Sequence, residues 1–464
     1  MSEESLVNGE VKEEEEKVSY RFMLPLVLGT MMNPLNSTML ATALITLCNS
    51  FKISIGSGAI LITSLYVTST VAQPLMGRLA DIFSPKKINT LGFVLVFIAA
   101  LIGVFAPSFG WLIVSRIVLG LGTSAAYPSA IALINKKYAN AHKAVPGSAL
   151  GIVAMSGQVS MVFGPVLGGL LTQWLGWRGI FFINIPWVII SVYLSKSIPD
   201  YKPAAAKKGI SLFKRLDAVG IILFSLFLLS LLFLLIQHEF NWLHIIPVVT
   251  LLLLLILWER KQQSPFIDVR LLANKPALSL VYIRFFILCY ILYLIMYSMP
   301  QWLQGVKDIQ PAATGLIMLP NSVMALVFGL LIAKSKNLFT QNLLGTLALL
   351  AGCIGLFFIN KHVSVFFIVA VSMVMGIAEG ISIIANQALL NKEAPAAQKG
   401  VSFGLVRTFG YLGAIVSGSQ LKVLFHDGIT DQRYHVLSYS ALFACVLMAL
   451  LLIPLWLRRS LQSG

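Results

Sequence analysis

Charged residues are scarce in this sequence, and acidic residues are the scarcest. Asp, Glu, Lys and Arg make up 11% of the 464 residues, and 18 acidic residues stand against 34 basic ones. A soluble globular domain carries about 25% charged residues, whereas 58% of this chain is hydrophobic and its mean hydropathy is +0.86. The composition excludes an ordinary soluble protein and predicts an all-α polytopic membrane protein.

Several chemical signatures are also missing. The four cysteines lie in or beside separate apolar runs without C-x-x-C spacing, which indicates neither a disulfide framework nor a metal site. The chain has no G-x-x-x-x-G-K-[ST] phosphate loop, which argues against ATP as the direct energy source. It also lacks the nucleophile–base or metal constellation of a membrane enzyme. We therefore expect no catalytic residue, no cofactor and no metal.

The net charge of +16 comes mainly from lysine and arginine that lie between the apolar runs. A nucleic-acid-binding protein would instead concentrate its basic residues on one face of a folded domain. We expect no nucleic acid and no partner protein, and we predict a monomer in a lipid bilayer.

Apolar runs long enough to cross a bilayer recur along the chain, since a membrane helix needs about 20 such residues. We predict fourteen membrane spans, numbered in order, near residues 22–48, 57–77, 88–106, 111–134, 146–173, 178–195, 216–237, 242–258, 276–300, 311–333, 339–360, 363–390, 400–421 and 436–457. With both termini on one side, 25 of the 34 basic residues fall on that side, six fall opposite and three lie within spans. The positive-inside rule then places both termini in the cytoplasm.

An internal repeat relates the two ends of the chain. Ala132 to Val145 matches Ala388 to Val401 at 7 of 14 positions without a gap, and the same offset of 256 residues aligns Gly120 with Gly376. Spans 1–6 therefore correspond to spans 9–14 in parallel orientation. We predict four regions: a disordered acidic cytoplasmic tail (1–20), an N-terminal six-helix bundle (21–196), a basic linker with two inserted peripheral helices (197–262) and a C-terminal six-helix bundle (263–464).

Span 5 carries a stripe of small residues that suits close helix packing in lipid. The stripe consists of Ser156, Ser160, Gly164 and Gly168. Pro165 lies within it and should bend the helix. With Gly157 upstream, the run Gly164-Pro165-x-x-Gly168-Gly169 resembles the antiporter motif of drug:proton antiporters of the major facilitator superfamily. A glycine-rich packing helix in another kind of membrane protein is the alternative interpretation.

The loop between spans 2 and 3 reads GRLADIFSPKK from Gly77 to Lys87. It resembles the superfamily signature G-x-L-A-D-R-x-G-R-K at Gly77, Asp81, Lys86 and Lys87, although Ile, Ser and Pro replace an arginine, a glycine and a second arginine. The resemblance implies a conformational latch in which Asp81 faces the N-terminal end of span 13. Asp81 as a simple turn cap is the alternative.

Span 4 contains Arg116-x-x-x-Gly120-x-Gly122, which resembles the R-x-x-x-G-x-G motif of the family. An arginine within the membrane is expensive and normally functional, so we assign Arg116 to proton coupling, with a structural anchor as the alternative. Thr123 and Tyr127 share its face and are candidate cavity residues. Trp177 to Pro186 looks like the W-R-x-x-F-x-x-N-x-P entrance to span 6 in the fourteen-helix branch of these antiporters.

In that branch span 1 usually carries L-D-x-T, whereas this chain reads Leu35-Asn36-Ser37-Thr38. Asn36 cannot titrate. Its amide and that of Asn33 can still hydrogen-bond a substrate in the cavity.

Glu379 in span 12 is the only acid deep within a predicted span, and it shares a polar stripe with Ser382 and Asn386. We predict that Glu379 is the proton-coupling carboxylate and that Ser382 and Asn386 line the cavity with Arg284 and Arg407. The alternative is that Glu379 forms a permanent ion pair with one of those two arginines.

The resemblance implies a major facilitator fold with fourteen transmembrane helices, in two six-helix halves plus two inserted helices, in a bacterial inner membrane. It implies a non-enzymatic exporter of amphipathic small molecules, of the multidrug type, that couples efflux to protons by alternating access. Because three arginines face one acid within the spans, an exporter of an anionic metabolite such as a carboxylate siderophore is an alternative. A non-transporting receptor or scaffold is another.

Overall fold

A computed structural model describes residues 19–141, 147–201, 217–235, 237, 241–262, 265–333, 335, 337–394 and 399–452. These residues form α-helices, one short 3-10 turn at Trp242–His244 and connecting loops, and none of them lies in a β-strand. The all-helical prediction is confirmed for this part of the chain. Most of the predicted acidic tail and of the basic linker lies outside the described residues.

The first nine helices cover the region predicted as the N-terminal bundle. They are α1 (Tyr20–Phe51), α2 (Ile55–Gly58), α3 (Ile60–Ile82), α4 (Pro85–Val104), α5 (Phe109–Ser124), α6 (Ala126–Asn140), α7 (Gly147–Leu175), α8 (Gly179–Phe182) and α9 (Asn184–Ser195). Proline begins α4, where its missing N–H leaves no backbone partner unsatisfied.

The remaining helices cover the inserted pair and the region predicted as the C-terminal bundle. They are α10 (Ala218–Leu235), α11 (Ile245–Glu259), α12 (Val269–Asn274), α13 (Pro276–Gly305), α14 (Pro311–Ala333), α15 (Leu338–Leu356), α16 (Val365–Glu393), α17 (Lys399–Leu424) and α18 (Asp431–Leu450). Side-chain caps at Asn337, Ser364 and Thr430 fix where α15, α16 and α18 begin, because each accepts a hydrogen bond from a backbone N–H of the first turn.

Ten helical stretches of the described residues are both long enough and apolar enough to cross a membrane. Two more apolar helices, Val159–Leu175 and Gly179–Ser195, are shorter than these. The chain therefore has the helices of a multi-pass membrane protein, while the count of fourteen crossings stays a prediction.

The helices pack in two sets. In the N-terminal set (α1–α9), α1 packs along α7, and α5 packs against α3 and α4. In the C-terminal set (α12–α18), α16 packs against α14 and α15, and α13 packs along α17. The two sets meet chiefly where α7 contacts α14 and where α3 contacts α17. A smaller contact joins α1 to α13.

At the end of the bundle where α1 ends, which is the predicted outer end, the two sets are in direct contact. The backbone N–H of Gly56 donates to the carbonyl O of Phe425 at 3.2 Å. A Cβ added at Gly56 would lie 2.8 Å from the backbone of His426. In addition, Gln304 Nε2 donates to the carbonyl O of Thr42 at 2.9 Å. The seam is therefore closed at this end.

The inserted helices α10 and α11 pack on each other, and α10 also contacts α3 and α17. Their outward side chains are exposed, for example Leu229 at 53% and Leu257 at 56%. In a bilayer these faces would meet lipid, as their uniformly apolar sequences predict. The pair therefore lies at the periphery of the bundle.

One end of the inserted pair is nevertheless polar and buried. Asp217 accepts hydrogen bonds from Trp258 Nε1 at 2.8 Å and from the backbone N–H of Phe266 at 2.9 Å. Glu259 accepts from the backbone N–H of Ile267 at 3.3 Å and is 0% exposed. We call Asp217 and Glu259 the carboxylate clamp, because together they hold the segment that leads into the C-terminal set.

Candidate functional site

Helix α7 lies between two neighbours and offers small residues to both. On one face a Cβ added at Gly168 would lie 2.6 Å from the Cα and carbonyl O of Met39 in α1, and one at Gly164 would collide with Thr38 Oγ1. Only glycine permits so close an approach of two backbones. The small-residue stripe is thus buried against α1, within the N-terminal set, and Gly157 on the same helix approaches Pro34 of α1.

The opposite face of α7 meets the C-terminal set. A Cβ added at Gly169 would lie 3.0 Å from the Cα of Ala312, and one at Gly315 would lie 3.0 Å from the carbonyl C of Pro165. Ser322 Oγ in α14 also donates to the carbonyl O of Met161 at 3.0 Å. The residues of the sequence motif therefore divide between a contact within one set and a contact between the two.

Asn36 lies in the interior of the N-terminal set and forms a reciprocal amide pair. Its Nδ2 donates to Asn184 Oδ1 at 2.6 Å, and Asn184 Nδ2 donates back to Asn36 Oδ1 at 2.8 Å. The second Nδ2 proton goes to the carbonyl O of Met32. Asn36 is 2% exposed, so in this conformation its amide is engaged by protein and does not face a cavity.

Arg116 lies beside that pair and is also buried. One guanidinium nitrogen, Nη2, donates to the carbonyl O of Asn36 at 3.2 Å, and Cζ lies 6.0 Å from the ring centroid of Phe181. Asn33, one turn earlier on α1, donates to Thr123 Oγ1 at 2.9 Å and to Ser69 Oγ at 3.3 Å. These contacts join α1, α3, α5 and α9 into one polar network.

A cluster of tyrosines fills the space between the two sets, and the sequence reasoning did not single it out. The tyrosine cluster consists of Tyr66 of α3, Tyr293 and Tyr297 of α13, and Tyr411 of α17. The ring of Tyr66 lies 5.0 Å from that of Tyr293 and 5.6 Å from that of Tyr411, measured between centroids. Tyr297 OH donates to Tyr66 OH at 3.3 Å. The cluster thus links the two sets at mid-length.

Arg407 reaches across the same seam. Its Cζ lies 3.6 Å from the ring centroid of Tyr127 on α6, a cation–π contact between the sets. Next to it, Tyr411 OH donates to Gln73 Oε1 on α3 at 2.7 Å. The predicted cavity residues Tyr127 and Arg407 are therefore in contact, although 280 positions of sequence separate them.

Glu379 is partly buried on α16 and faces α14. Asn321 Nδ2 donates to its Oε2 at 3.2 Å. Arg284 instead donates to the carbonyl O of Met448 and to Asn342 Oδ1. Among the contacts of the described residues, Glu379 is thus bound to an amide, and neither Arg284 nor Arg407 forms the ion pair considered as the alternative.

Arg284, Ser382 and Asn386 come together, but away from the tyrosine cluster. With Leu288, Asn342 and Met448 they line a cavity of about 10 Å³ inside the C-terminal set. That volume holds one water-sized body. In this conformation the three residues therefore do not line a space of substrate size.

The predicted latch is described only in part. The side chain of Asp81 lies outside the described residues, and Lys87 is exposed. Lys86 Nζ donates to the carbonyl O of Ile198 within the N-terminal set, and a Cβ at Gly77 would lie 3.4 Å from Pro128. Arg78 donates to the carbonyl O of Pro265, beside the carboxylate clamp. The latch itself stays a prediction.

Comparisons with known proteins agree with this architecture. Residues 26–418 match the family model described as Major Facilitator Superfamily. An uncharacterised MFS-type transporter of Bacillus subtilis, YwoD, is 33% identical over 432 residues, which cover 91% of this chain and 94% of YwoD. The multidrug efflux pump SdrM of Staphylococcus aureus is 25% identical over 94% of this chain and 95% of SdrM.

The fold of the chain is also similar to a solved structure. The nucleoside transporter NupG superimposes with a TM-score of 0.64 at 14% identity, covering 93% of this chain and all of NupG. That likeness concerns the fold alone. The family match across most of the sequence and the two-set helical architecture lead to one conclusion: the chain belongs to the major facilitator superfamily of membrane transporters.

Proposed function

We propose that this protein exports amphipathic small molecules by proton-coupled antiport, with the two helix sets rocking about the seam between them. The observation that carries the proposal is the tyrosine cluster together with the Arg407–Tyr127 contact. Tyrosine offers both an apolar ring and a hydroxyl group, which suits ligands with apolar and polar parts. An export role is supported by the similarity to the multidrug efflux pump SdrM.

The mechanism begins with Glu379, because its contact can respond to a proton. As a carboxylate, Glu379 accepts the hydrogen bond from Asn321 of α14. A proton on Oε2 would turn this oxygen into a donor and weaken the hydrogen bond that it accepts from Asn321 Nδ2. Because α14 is the helix whose Gly315 packs against Pro165 of α7, a change at Glu379 acts directly on a contact between the sets.

Opening at the predicted cytoplasmic side requires the sets to part at the tyrosine cluster. Tyr66 would have to leave Tyr293, Tyr297 and Tyr411. The contacts of Tyr411 with Gln73 and of Arg407 with Tyr127 would also break. A substrate that stacks on these rings would replace them and stabilise the open form. Antiport then requires that proton binding at Glu379, near the contact of α7 with α14, and substrate binding at the cluster favour different arrangements of the two sets.

The experiment is transport by purified protein in proteoliposomes with an imposed pH gradient, using fluorescent lipophilic cations. Glu379→Gln should abolish gradient-driven efflux while substrate exchange without a gradient continues, because Gln cannot bind a proton. The matched control is Glu393→Gln, which removes a carboxylate from the end of the same helix and should transport as the parent does. Full gradient-driven efflux by Glu379→Gln would disprove the proton role.

An anionic metabolite is the second candidate substrate. Arg407 favours it, because this cation lies at the seam over a neutral aromatic ring and not over a carboxylate. In a competition assay with anionic and cationic compounds, Arg407→Gln should lose binding of the anions only. If anionic compounds do not compete for binding to the parent protein, this candidate is excluded.

A further inference from the structure

Arg284 is a buried cation inside the C-terminal set, with an exposed fraction of 4%. Its Nη1 donates to the carbonyl O of Met448 at 3.0 Å, and its Nη2 donates to Asn342 Oδ1 at 3.2 Å. Both acceptors are neutral. These contacts satisfy hydrogen bonds of the guanidinium group without balancing its charge, and a buried charge without an opposite charge is strongly destabilising.

The cavity beside Arg284 presents further donors. Three of its lining side chains have a buried polar atom that finds no hydrogen-bond partner among the described residues: Arg284 Nε, Ser382 Oγ and Asn386 Nδ2. Ser382 is 6% exposed and Asn386 is 3% exposed. Each of these atoms carries a proton that it can donate. Three donors and one positive charge therefore converge on one small space.

The fourth polar group of the cavity is already occupied. Asn342 Oδ1 accepts from Arg284, and Asn342 Nδ2 donates to the carbonyl O of Leu338 at 2.8 Å. The carboxylate of Glu379 is not among the residues that line the cavity and accepts a hydrogen bond from Asn321 of α14. A water molecule in the cavity would satisfy donors but leave the charge of Arg284 unbalanced, whereas an anion would do both.

We propose that Arg284, Ser382 and Asn386 form a binding site for a single monatomic anion of the size of chloride. The cavity of about 10 Å³ is close to the space that one water molecule needs. Chloride is somewhat larger, so its binding requires the lining side chains to move slightly apart, whereas sulfate or an organic acid would require a much larger rearrangement. The bound anion would join α13 and α16, and through Asn342 and Met448 also α15 and α18. It is a structural ion of the C-terminal set and is distinct from any transported substrate.

The test is the thermal unfolding midpoint of the purified full-length protein in sodium chloride and in sodium gluconate at equal ionic strength. Chloride should raise the midpoint by about 2 °C for each tenfold increase in concentration above its dissociation constant, by mass action. Bromide should replace chloride, and crystals grown in bromide should show anomalous density between Arg284 and Asn386. Equal midpoints in chloride and gluconate at every concentration would overturn the proposal.

A variant that carries its own counter-charge makes the test specific. Asn386→Asp places a carboxylate beside Arg284, so its midpoint should no longer depend on chloride. The matched control, Asn241→Asp, makes the same change at an exposed position and should keep the dependence of the parent. A chloride dependence of Asn386→Asp equal to that of the parent would place the anion elsewhere and overturn the assignment.

Ser382→Ala provides a second, milder variant if Asn386→Asp does not fold. It removes one donor and leaves the positive charge, so the apparent dissociation constant for chloride should rise about tenfold or more. An unchanged constant would contradict a site that includes Ser382.

Discussion

The two helix sets carry chemically different residues at positions that the internal repeat makes equivalent. The repeat offset of 256 residues places Thr123 of α5 on Glu379 of α16. Each accepts a hydrogen bond from an asparagine Nδ2, Thr123 from Asn33 at 2.9 Å and Glu379 from Asn321 at 3.2 Å. The hydroxyl group cannot change its charge near neutral pH, whereas the carboxyl group can. The asparagine donors lie on helices that the repeat does not equate, α1 in one set and α14 in the other, so the equivalent positions differ both in their partner helix and in their ability to bind a proton.

The amide pair at Asn36 extends this contrast. Both amides are fully committed to one another and to backbone carbonyls, and neither can titrate. In the fourteen-helix branch that this chain resembles, an aspartate is usual at this place. The N-terminal set thus provides a rigid frame, and in the mechanism proposed above the proton-dependent step belongs to the C-terminal set.

The largest expected effects come from placing a leucine on either face of α7. One face contacts α1 within the same set, and the other contacts α14 of the opposite set. Gly168→Leu forces a side chain into the backbone of Met39, and overpacking of this kind costs about 1–3 kcal/mol or more. We expect a large loss of folded protein in the membrane. Gly169→Leu obstructs Pro311 and Ala312 of the other set, so folded protein should remain while transport is lost.

Folded protein is measured by size-exclusion chromatography after detergent extraction, and transport is measured in proteoliposomes. The matched control is Gln173→Leu, which introduces the same side chain at an exposed position of α7 and should leave both measurements as in the parent. Normal transport by Gly169→Leu would show that the transport cycle does not require this close approach of α7 and α14.

Asn36→Asp should have an intermediate effect. It gives the N-terminal set an interior carboxyl group, as Glu379 does for the C-terminal set. The carboxylate can no longer donate to Asn184 Oδ1 or to the carbonyl O of Met32, and leaving buried acceptors unmatched costs about 1–3 kcal/mol. Arg116 lies beside the pair and would balance the new carboxylate, so the change is made in the Arg116→Gln background. There the unfolding midpoint should fall at neutral pH and recover as the pH is lowered and the carboxyl group is protonated. Asn49→Asp, an exposed change on the same helix, should leave the midpoint unchanged at all pH values.

Tyr411→Phe should have the smallest effect, and it tests the contact between α3 and α17. It removes the hydrogen bond from Tyr411 OH to Gln73 Oε1, worth about 1 kcal/mol net, without altering the ring. The equilibrium should shift about fivefold towards the form in which the sets are separated at the cluster. The measurement is the labelling rate of a cysteine introduced at Ser37, which is buried on α1 beside the side chain of Tyr66. Equal labelling rates in parent and variant would contradict a role for this contact in closing the seam.

Some features of the site followed from sequence and others did not. The stripe ending at Gly164 and Gly168 indicated a close helix contact, and α1 provides it. Spacing along one helix cannot name the partner, however, so the second contact of Pro165 and Gly169 with α14 was not predicted. The apolar sequences of α10 and α11 likewise predicted their exposed outer faces, but not the buried carboxylates at their ends.

Pairs that form across the fold lay beyond sequence reasoning altogether. Asn36 and Asn184 are 148 positions apart, and although each lies in a recognised motif, neither motif indicates that the two side chains pair. The tyrosine cluster draws on three separate spans, and only the spacing of Tyr293 and Tyr297, one helical turn apart, signalled a shared face. Contacts between helices depend on which face each helix turns towards its neighbour. The hydrophobic pattern of these spans is too uniform to predict that face.

The carboxylate clamp has a consequence for shortening the chain. Asp217 and Glu259 supply the acceptors for the backbone N–H groups of Phe266 and Ile267, just before the C-terminal set begins. Excising the inserted pair would remove both acceptors from this turn. The insertion is therefore not a detachable module, and any engineered deletion must rebuild that turn with new partners.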